Sequence, residues 1–138
     1  MYIPKNTKFK KQRKGRLPAK IKKNKSFELL KQGTIGLKLI DFGRIESDQL
    51  KASWEALKKI LKKRGAISLN LVSDTPVSKK PIEIRMGKGK GAVHHWVAKV
   101  RPGTLLFEIE TTETVLAIKA LKAAQLRLPL KTKIILEQ

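Results

Sequence analysis

The chain has 138 residues, 41% of them hydrophobic, which suits one domain with a modest core and argues against wholesale disorder. Its 32 Lys and Arg residues face 11 Asp and Glu residues, and the resulting net charge of +21 predicts a polyanionic partner, nucleic acid first and an anionic membrane surface second. Cysteine is absent, which excludes disulfides, thiolate metal sites and cysteine nucleophiles. No apolar run is long enough to cross a bilayer, so we expect no membrane partner.

Residues 1–25 are predicted to form a basic extended N-terminal arm, followed by a single α+β domain at residues 26–138. The arm has eleven cations and no acid, and such a block of like charge stays extended until a partner neutralises it. A solvated tail that only aids solubility is the alternative. Tyr2, Phe9 and Phe27 lie among the cations and can stack on bases. Because the arm lacks the apolar stretch of a secretory signal, we expect it in the mature protein.

A first strand is predicted at residues 33–43, and a helix follows it. Ser47 is expected as the helix N-cap and Gly65 as its end. The apolar stripe at helical spacing consists of Leu50, Trp54, Leu57 and Leu61. Trp54 lies on this stripe and is therefore expected in the core. The last turns are rich in cations, which suit the helix dipole and could equally contact phosphates.

Residues 66–72 predict a strand, residues 73–81 a polar connection interrupted by prolines, and residues 81–85 a further strand. Around the turn residues 101–103, the pattern of residues 96–110 predicts a β-hairpin.

A second helix is expected from about Thr112 to Leu126, ended by Pro129, and residues 131–137 predict a final strand. The inward face of this second helix is predicted to consist of Val115, Ile118, Leu121 and Ala124. Two helices and about six strands that do not alternate one for one indicate the α+β class.

Residues 85–91, RMGKGKG, alternate glycines with cations and contain no carboxylate. The Walker pattern needs four residues between its glycines and a Ser or Thr after the lysine, and neither condition is met here. Glycines let the backbone approach a surface closely, while the cations and exposed N–H groups can bind phosphates. The segment therefore predicts a loop that enters a narrow crevice of folded RNA. A mobile surface loop with incidental charge is the alternative.

Metal binding and catalysis have little support in the sequence. Adjacent residues of a strand point to opposite faces, so we expect His94 and His95 not to share a metal ion. Glu108 and Glu110 share one face of the expected hairpin strand, but paired carboxylates on an exposed strand are common. We therefore expect no metal, no cofactor, no small-molecule substrate and no enzymatic activity.

Several segments resemble the bacterial-type large-ribosomal-subunit protein L-sixteen family. The opening MYIPKNTKFKKQRKGR is similar to the family's start, IGLKLIDFGRI to its Gly-Leu-Lys and Gly-Arg segment, and LPLKTKII to its C-terminus. The strongest match is residues 73–110, which contain Asp-x-Pro, Lys-Pro, Arg-Met-Gly-x-Gly-Lys-Gly, Trp-Val-Ala and Pro-Gly in the family's order. The resemblance covers nearly the whole chain.

The resemblance implies two helices packed on a mostly antiparallel sheet, with the Gly/Lys-rich loop and the arm reaching into rRNA. It implies a structural constituent of the large subunit, near the aminoacyl-tRNA site and the peptidyl-transferase region. Its expected partners are large-subunit rRNA, tRNA in the aminoacyl site and neighbouring ribosomal proteins. The implied rRNA contacts are Lys5, Lys8, Lys10, Lys11, Arg13, Lys14, Arg16, Arg44, Lys79, Lys80, Arg85, Met86, Gly87, Lys88, Gly89, Lys90 and Gly91.

The chain departs from the family pattern in the first helix, where LKASWEALKK replaces the usual arginine pair, and in AISLNLV, which lacks the usual Trp and Arg. In this chain lysine and isoleucine replace arginine and valine of the family pattern, as suits an AT-rich organellar genome. This substitution favours a mitochondrial ribosome, with chloroplast or bacterial ribosomes as alternatives. Two other functions compete with the ribosomal one. They are a nucleic-acid-compacting architectural protein, against which the lack of a wedge or groove-reading helix argues, and an RNA-processing enzyme that uses Glu108 and Glu110.

Overall fold

The computed structural model describes residues 4, 6–13, 15, 30 and 34–136. In chain order the elements of this part are β1 (Ile35–Leu39), β2 (Gly43–Glu46), α1 (Ser47–Leu61), β3 (Ala66–Leu69), β4 (Thr75–Lys79), β5 (Ala92–Val100), β6 (Leu105–Glu110), α2 (Thr114–Gln125) and β7 (Thr132–Leu136). The predicted α+β class is confirmed. The predicted boundary between arm and domain, at residues 25 and 26, lies outside the described residues and stays a prediction.

The strands form two sheets, where the resemblance implied one. A four-stranded sheet has the order β3-β6-β1-β7, and a three-stranded sheet has the order β2-β5-β4. Every pairing between these strands is antiparallel. Helix α1 packs on α2 and on the three-stranded sheet, and α2 packs on β1 and β7. The helix pair therefore joins both sheets around one core.

The predicted hairpin at residues 96–110 is wrong, because β5 and β6 lie in different sheets. The turn at 101–103 carries the chain from one sheet to the other. Gly103, at φ 94, donates its N–H to the Leu39 carbonyl at 2.8 Å, and Leu39 donates back to the Thr104 carbonyl at 2.9 Å. The turn is thus tied to the end of β1, and β6 pairs with β1 and β3 instead of with β5.

Two further strand predictions are wrong. Residues 73–81 were expected as a connection but contain β4, where Pro76 is tolerated because β4 is an edge strand. Residues 81–85 were expected as a strand but belong to the loop between β4 and β5. The short β2 was not predicted as a separate strand.

The core lies where the helical periodicity predicts it. Leu50, Leu57 and Leu61 are fully buried, and the half-buried Trp54 ring lies 6.2 Å from the Phe107 ring, centroid to centroid. Trp54 is therefore a core-packing residue, as predicted.

On α2, the prediction for Val115 is wrong, since it is 80% exposed in the first turn. The helix instead buries a face made mostly of small side chains, which allow a close approach to α1. These residues are Ala117, Ala120, Leu121 and Ala124.

The ends of α1 also differ from the prediction. Its N-cap is Glu46, one residue before Ser47, and the Glu46 N–H donates to the Gln49 side-chain oxygen at 3.0 Å, as in a capping box. Its C-cap is Lys62 and not Gly65. Gly65 is needed for another reason, because a Cβ there would lie 2.9 Å from the Glu110 carbonyl oxygen.

Replacing Lys62 with glycine is expected to raise the free energy of unfolding by about 1 kcal/mol, since relief of backbone strain outweighs the entropy that glycine adds to the unfolded chain. Lys62 has φ 51 and ψ −110, a combination that side chains with a Cβ rarely adopt. Urea denaturation measures the change. Lys63→Gly removes the same charge at a residue outside the positive-φ region and is expected to destabilise the protein by about 0.5–1 kcal/mol.

Candidate nucleic-acid interface

The Gly/Lys-rich loop, residues 80–91, joins β4 to β5 and projects into solvent. Residues 81–90 are all exposed, and Met86 is 100% exposed. Gly87, Lys88 and Gly89 have positive φ values of 96°, 51° and 87°. The glycines therefore permit a run of left-handed backbone that other residues could not follow at low cost. Around these two glycines a Cβ would find nothing within 4 Å, so the backbone of the tip is open to a ligand.

The base of the loop, by contrast, is held tightly. The Lys80 ammonium at the base donates to the carbonyl of Gly87 at the tip, which ties the tip to the base. Gly91 lies directly against β4, because a Cβ at Gly91 would come within 2.7 Å of the Lys79 carbonyl oxygen. Lys79 and Lys80 thus lie at one side of the base and Gly91 at the other, as a fixed support for the exposed tip.

Gly91→Ala is expected to lower the free energy of unfolding by about 1–3 kcal/mol, because the added methyl group meets backbone that cannot rotate away. Gly89→Ala is the matched control in the same loop. Its Cβ enters open space, so its cost is limited to the strain of one positive φ, about 1 kcal/mol, at an exposed residue that can relax. Urea denaturation of the two variants side by side measures the difference, and equal losses would contradict the tight packing of the base.

The described part of the arm lies against this loop and the three-stranded sheet. The Lys11 ammonium donates to the Lys90 carbonyl at 3.0 Å, and the Lys90 ammonium donates to the Gln12 carbonyl. The Arg44 guanidinium on β2 donates to the Gly15 carbonyl at 3.0 Å. The arm and the sheet enclose a cleft of about 180 Å³, lined by Gln12, Arg44, Thr75, Pro76, Val77, Ser78, Lys90 and Val97. Arm, loop and sheet therefore form one continuous surface.

Most of the predicted contact residues meet on this surface, which we call the arm–loop face: residues 6–13, 15, 44, 79–91 and 99. Lys8, Lys10 and Arg13 are exposed on the arm, and Arg85 and Lys88 are exposed on the loop. In residues 6–13 and 85–91 there is no carboxylate to offset these cations. Three predicted contacts lie outside the described residues, namely Lys5, Lys14 and Arg16.

Lys99 is a member of this face that the sequence reasoning missed. It pairs with Arg44 in the β2–β5 register, which puts both side chains on the same side of the sheet. Its ammonium lies 3.6 Å from the point that a Cβ on Gly15 would occupy. The signal was present, since Lys99 is the polar residue between the apolar Ala98 and Val100 in a predicted strand.

The loop also exposes apolar side chains between its charges. Ile82, Ile84 and Met86 are 97%, 56% and 100% exposed. Such side chains can pack against unstacked bases as well as between duplex steps, and the predicted lack of an intercalating wedge stays a prediction.

The cations at the end of α1 are less free to bind phosphate than the loop cations. Lys58 lies 5.4 Å from the centroid of the Trp54 ring, and Arg64 forms an exposed ion pair with Glu113 at 3.4 Å. These contacts favour the alternative in which this basic end stabilises the helix terminus.

The acidic residues do not form the exposed pair that was expected on β6. Glu108 is 1% exposed and accepts a hydrogen bond from the Asn70 amide, whereas Glu110 is exposed at the strand end. No group of three or more His, Asp or Glu side chains in the described residues could hold a metal ion. Among the same residues no helix is long and apolar enough to cross a bilayer.

The expectation that His94 and His95 point to opposite faces is also wrong. Val77 pairs with His95 but the next residue, Ser78, pairs with Val93, so His94 is an extra residue in a β-bulge. The bulge interrupts the alternation of β5 and brings the two imidazoles together, with their Nδ1 atoms 2.9 Å apart.

Comparison with protein-family models matches residues 4–135 to the family described as ribosomal protein L16p/L10e. The match begins in the arm, contains both sheets and both helices, and ends in β7.

Proposed function

The chain belongs to the ribosomal protein L16p/L10e family, and on this premise we propose that it binds large-subunit rRNA near the aminoacyl-tRNA site and the peptidyl-transferase region. By its family it is a structural protein of the large ribosomal subunit that binds rRNA and neighbouring ribosomal proteins. In the proposed role it organises rRNA and supports tRNA accommodation. Peptidyl transfer is the chemistry of RNA, so the protein contributes no catalytic group.

The arm–loop face is the observation that carries this proposal. Its phosphate-binding groups come from two distant parts of the chain and are joined by the hydrogen bonds of Lys11 and Lys90. An exposed tip with open backbone and a fixed base suits a narrow anionic crevice, which folded RNA offers more readily than a regular duplex. The proposed contacts on this face are Lys8, Lys10, Lys11, Arg13, Arg44, Lys79, Lys80 and residues 85–91, with Lys99 added.

The compartment and the tRNA contact are the finer parts of the proposal. A lysine- and isoleucine-rich drift in the sequence supports a mitochondrial ribosome, with chloroplast and bacterial ribosomes as the alternatives. The exposed tip of the loop is the part proposed to face tRNA in the aminoacyl site.

Sucrose-gradient sedimentation of a cell or organelle lysate, with the protein followed by mass spectrometry, tests the function. We expect the protein to travel with the large subunit and to resist a moderate salt wash, and the purified organelle identifies the compartment. Sedimentation with DNA and loss on DNase treatment would instead establish the architectural alternative. The enzyme alternative is weakened by the burial of Glu108, and Glu110→Gln in an RNA-turnover assay tests what remains of it.

A further inference from the structure

The histidine pair at the start of β5 is not used by the proposed function. The His94 and His95 rings meet edge to face, with centroids 5.2 Å apart and an interplanar angle of 88°. Their Nδ1 atoms are 2.9 Å apart. At this distance one nitrogen donates a proton and the other supplies a lone pair, so the pair holds one proton between the two Nδ1 atoms.

Glu46 is the acidic neighbour of His95. Its carboxylate Oε1 lies 3.7 Å from His95 Nε2, on the far side of the ring from His94. A carboxylate at that position favours the proton on Nε2, which leaves the lone pair on Nδ1. Glu46 is itself held in place, because it is the N-cap of α1 and its N–H is bonded to Gln49. The arrangement has the order carboxylate, histidine, histidine, and the Nδ1 lone pair of His95 accepts the hydrogen bond from His94 until an ion takes the place of that proton.

We propose that His94 and His95 chelate one divalent transition-metal ion through their two Nδ1 atoms, with Glu46 as the outer partner that orients His95. Nitrogen ligands at about 2.05 Å from a metal are about 2.9 Å apart when they bind at a right angle and about 3.3 Å apart in a tetrahedron. The two Nδ1 atoms are already held 2.9 Å apart by their hydrogen bond. Binding at a right angle, which Cu²⁺ and Ni²⁺ prefer and Zn²⁺ does not, therefore needs the rings to rotate but does not need the two nitrogens to separate.

Binding requires only local changes. The proton on His94 Nδ1 moves to its Nε2, and each ring rotates about χ2, a torsion with a broad energy minimum. His94 is exposed and lines an open cleft of about 450 Å³ at the base of the loop, so the ion and its water ligands have access. Since the described residues contain no third ligand in the cluster, water fills the remaining positions.

The sequence makes the test unusually specific, because these are the chain's only two histidines and it has no cysteine. CuCl₂, NiCl₂ and ZnCl₂ are titrated separately into the full chain without a histidine tag. The heat of binding is measured by titration calorimetry for each ion, and electron paramagnetic resonance spectra are recorded for Cu²⁺. We expect one ion per chain, two imidazole nitrogens on Cu²⁺, and tighter binding of Ni²⁺ than of Zn²⁺.

His94→Gln and His95→Gln are each expected to weaken Cu²⁺ binding at least tenfold, and Glu46→Gln about tenfold. Lys119→Gln, on the exposed side of α2 and away from the histidine pair, is the control that should bind as the parent does. Unchanged affinity in either histidine variant, or a spectrum with a single imidazole nitrogen in the parent chain, would overturn the proposal. Selective paramagnetic broadening of both His ring signals in the parent chain gives a second readout should a variant fold poorly. No RNA is involved, so this outcome is independent of the proposed function.

Discussion

Joint replacement of Arg85, Lys88 and Lys90 by alanine is expected to weaken binding to large-subunit rRNA about a hundredfold at physiological salt. Each phosphate contact releases roughly 0.7–0.9 of a counterion, so at ~0.15 M salt one lost contact costs about four- to fivefold and three cost about a hundredfold. The slope of log affinity against log salt is expected to become shallower by about 2–3. Filter binding to an rRNA fragment at several KCl concentrations measures both quantities.

A second triple variant tests whether location matters beyond charge. Lys119, Lys122 and Lys133 are exposed on α2 and β7, away from the arm–loop face, and their replacement by alanine removes the same three charges. We expect a much smaller loss of affinity from this variant. Equal losses in the two triples would mean that net charge alone drives binding and that the loop is not the contact site.

The single variant Lys88→Ala tests direct contact with rRNA without disturbing the hydrogen bonds that hold the arm. Lys90 also donates to the Gln12 carbonyl, so its loss disturbs the arm as well as the loop. Lys88 has no hydrogen bond or ion pair among the described residues. Its replacement is therefore expected to reduce the salt slope by about one without a change in stability.

The helices were predictable from the sequence because their signals are local. The spacing of Leu50, Leu57 and Leu61 along one face is enough to specify α1 and its buried side. The error at the C-cap has a clear cause. Gly65 was the natural candidate for a left-handed residue, but the chain adopts that conformation at Lys62 and uses Gly65 for close packing instead.

The pairing of the strands was not predictable in the same way. A Pro-Gly turn between two apolar runs indicates a change of direction, but it does not say which strand will be the neighbour. β6 is buried along Leu105–Ile109, so it needs a partner on each side, and the residues that satisfy this need lie about 40 and 70 positions earlier in the chain. Such distant pairing leaves no mark in the local pattern.

The same distinction between local signals and tertiary contacts applies to the candidate site. The backbone of the loop followed from its glycines, and the cations followed from composition. The contacts of Lys11 and Arg44 with backbone carbonyls depend on tertiary structure, as does the bulge that unites His94 and His95. The rule that neighbouring strand residues face opposite ways holds only where the pairing is regular, and one inserted residue reverses it.

Phe107→Ala is expected to lower the free energy of unfolding by about 3–5 kcal/mol, the largest stability effect of any variant considered. Phe107 is fully buried at the centre of the four-stranded sheet, where it pairs with Leu37 on β1 and Leu69 on β3. Its ring also packs near Trp54 of α1. A cavity at this residue therefore removes packing within the sheet and packing between the sheet and α1 at the same time. Urea denaturation followed by tryptophan fluorescence measures the loss.

Val115→Ala is the matched control, because it also trims an apolar side chain but one that is 80% exposed. Its effect is expected to stay within about 0.5 kcal/mol. Phe107→Leu should fall between the two, since leucine refills part of the cavity. A loss below about 1 kcal/mol for Phe107→Ala would contradict the sheet order in which β6 lies between β1 and β3. A domain of this size has only about 5–15 kcal/mol of stability, so a loss of about 3–5 kcal/mol at Phe107 would remove a large share of the stability that holds the arm–loop face in place.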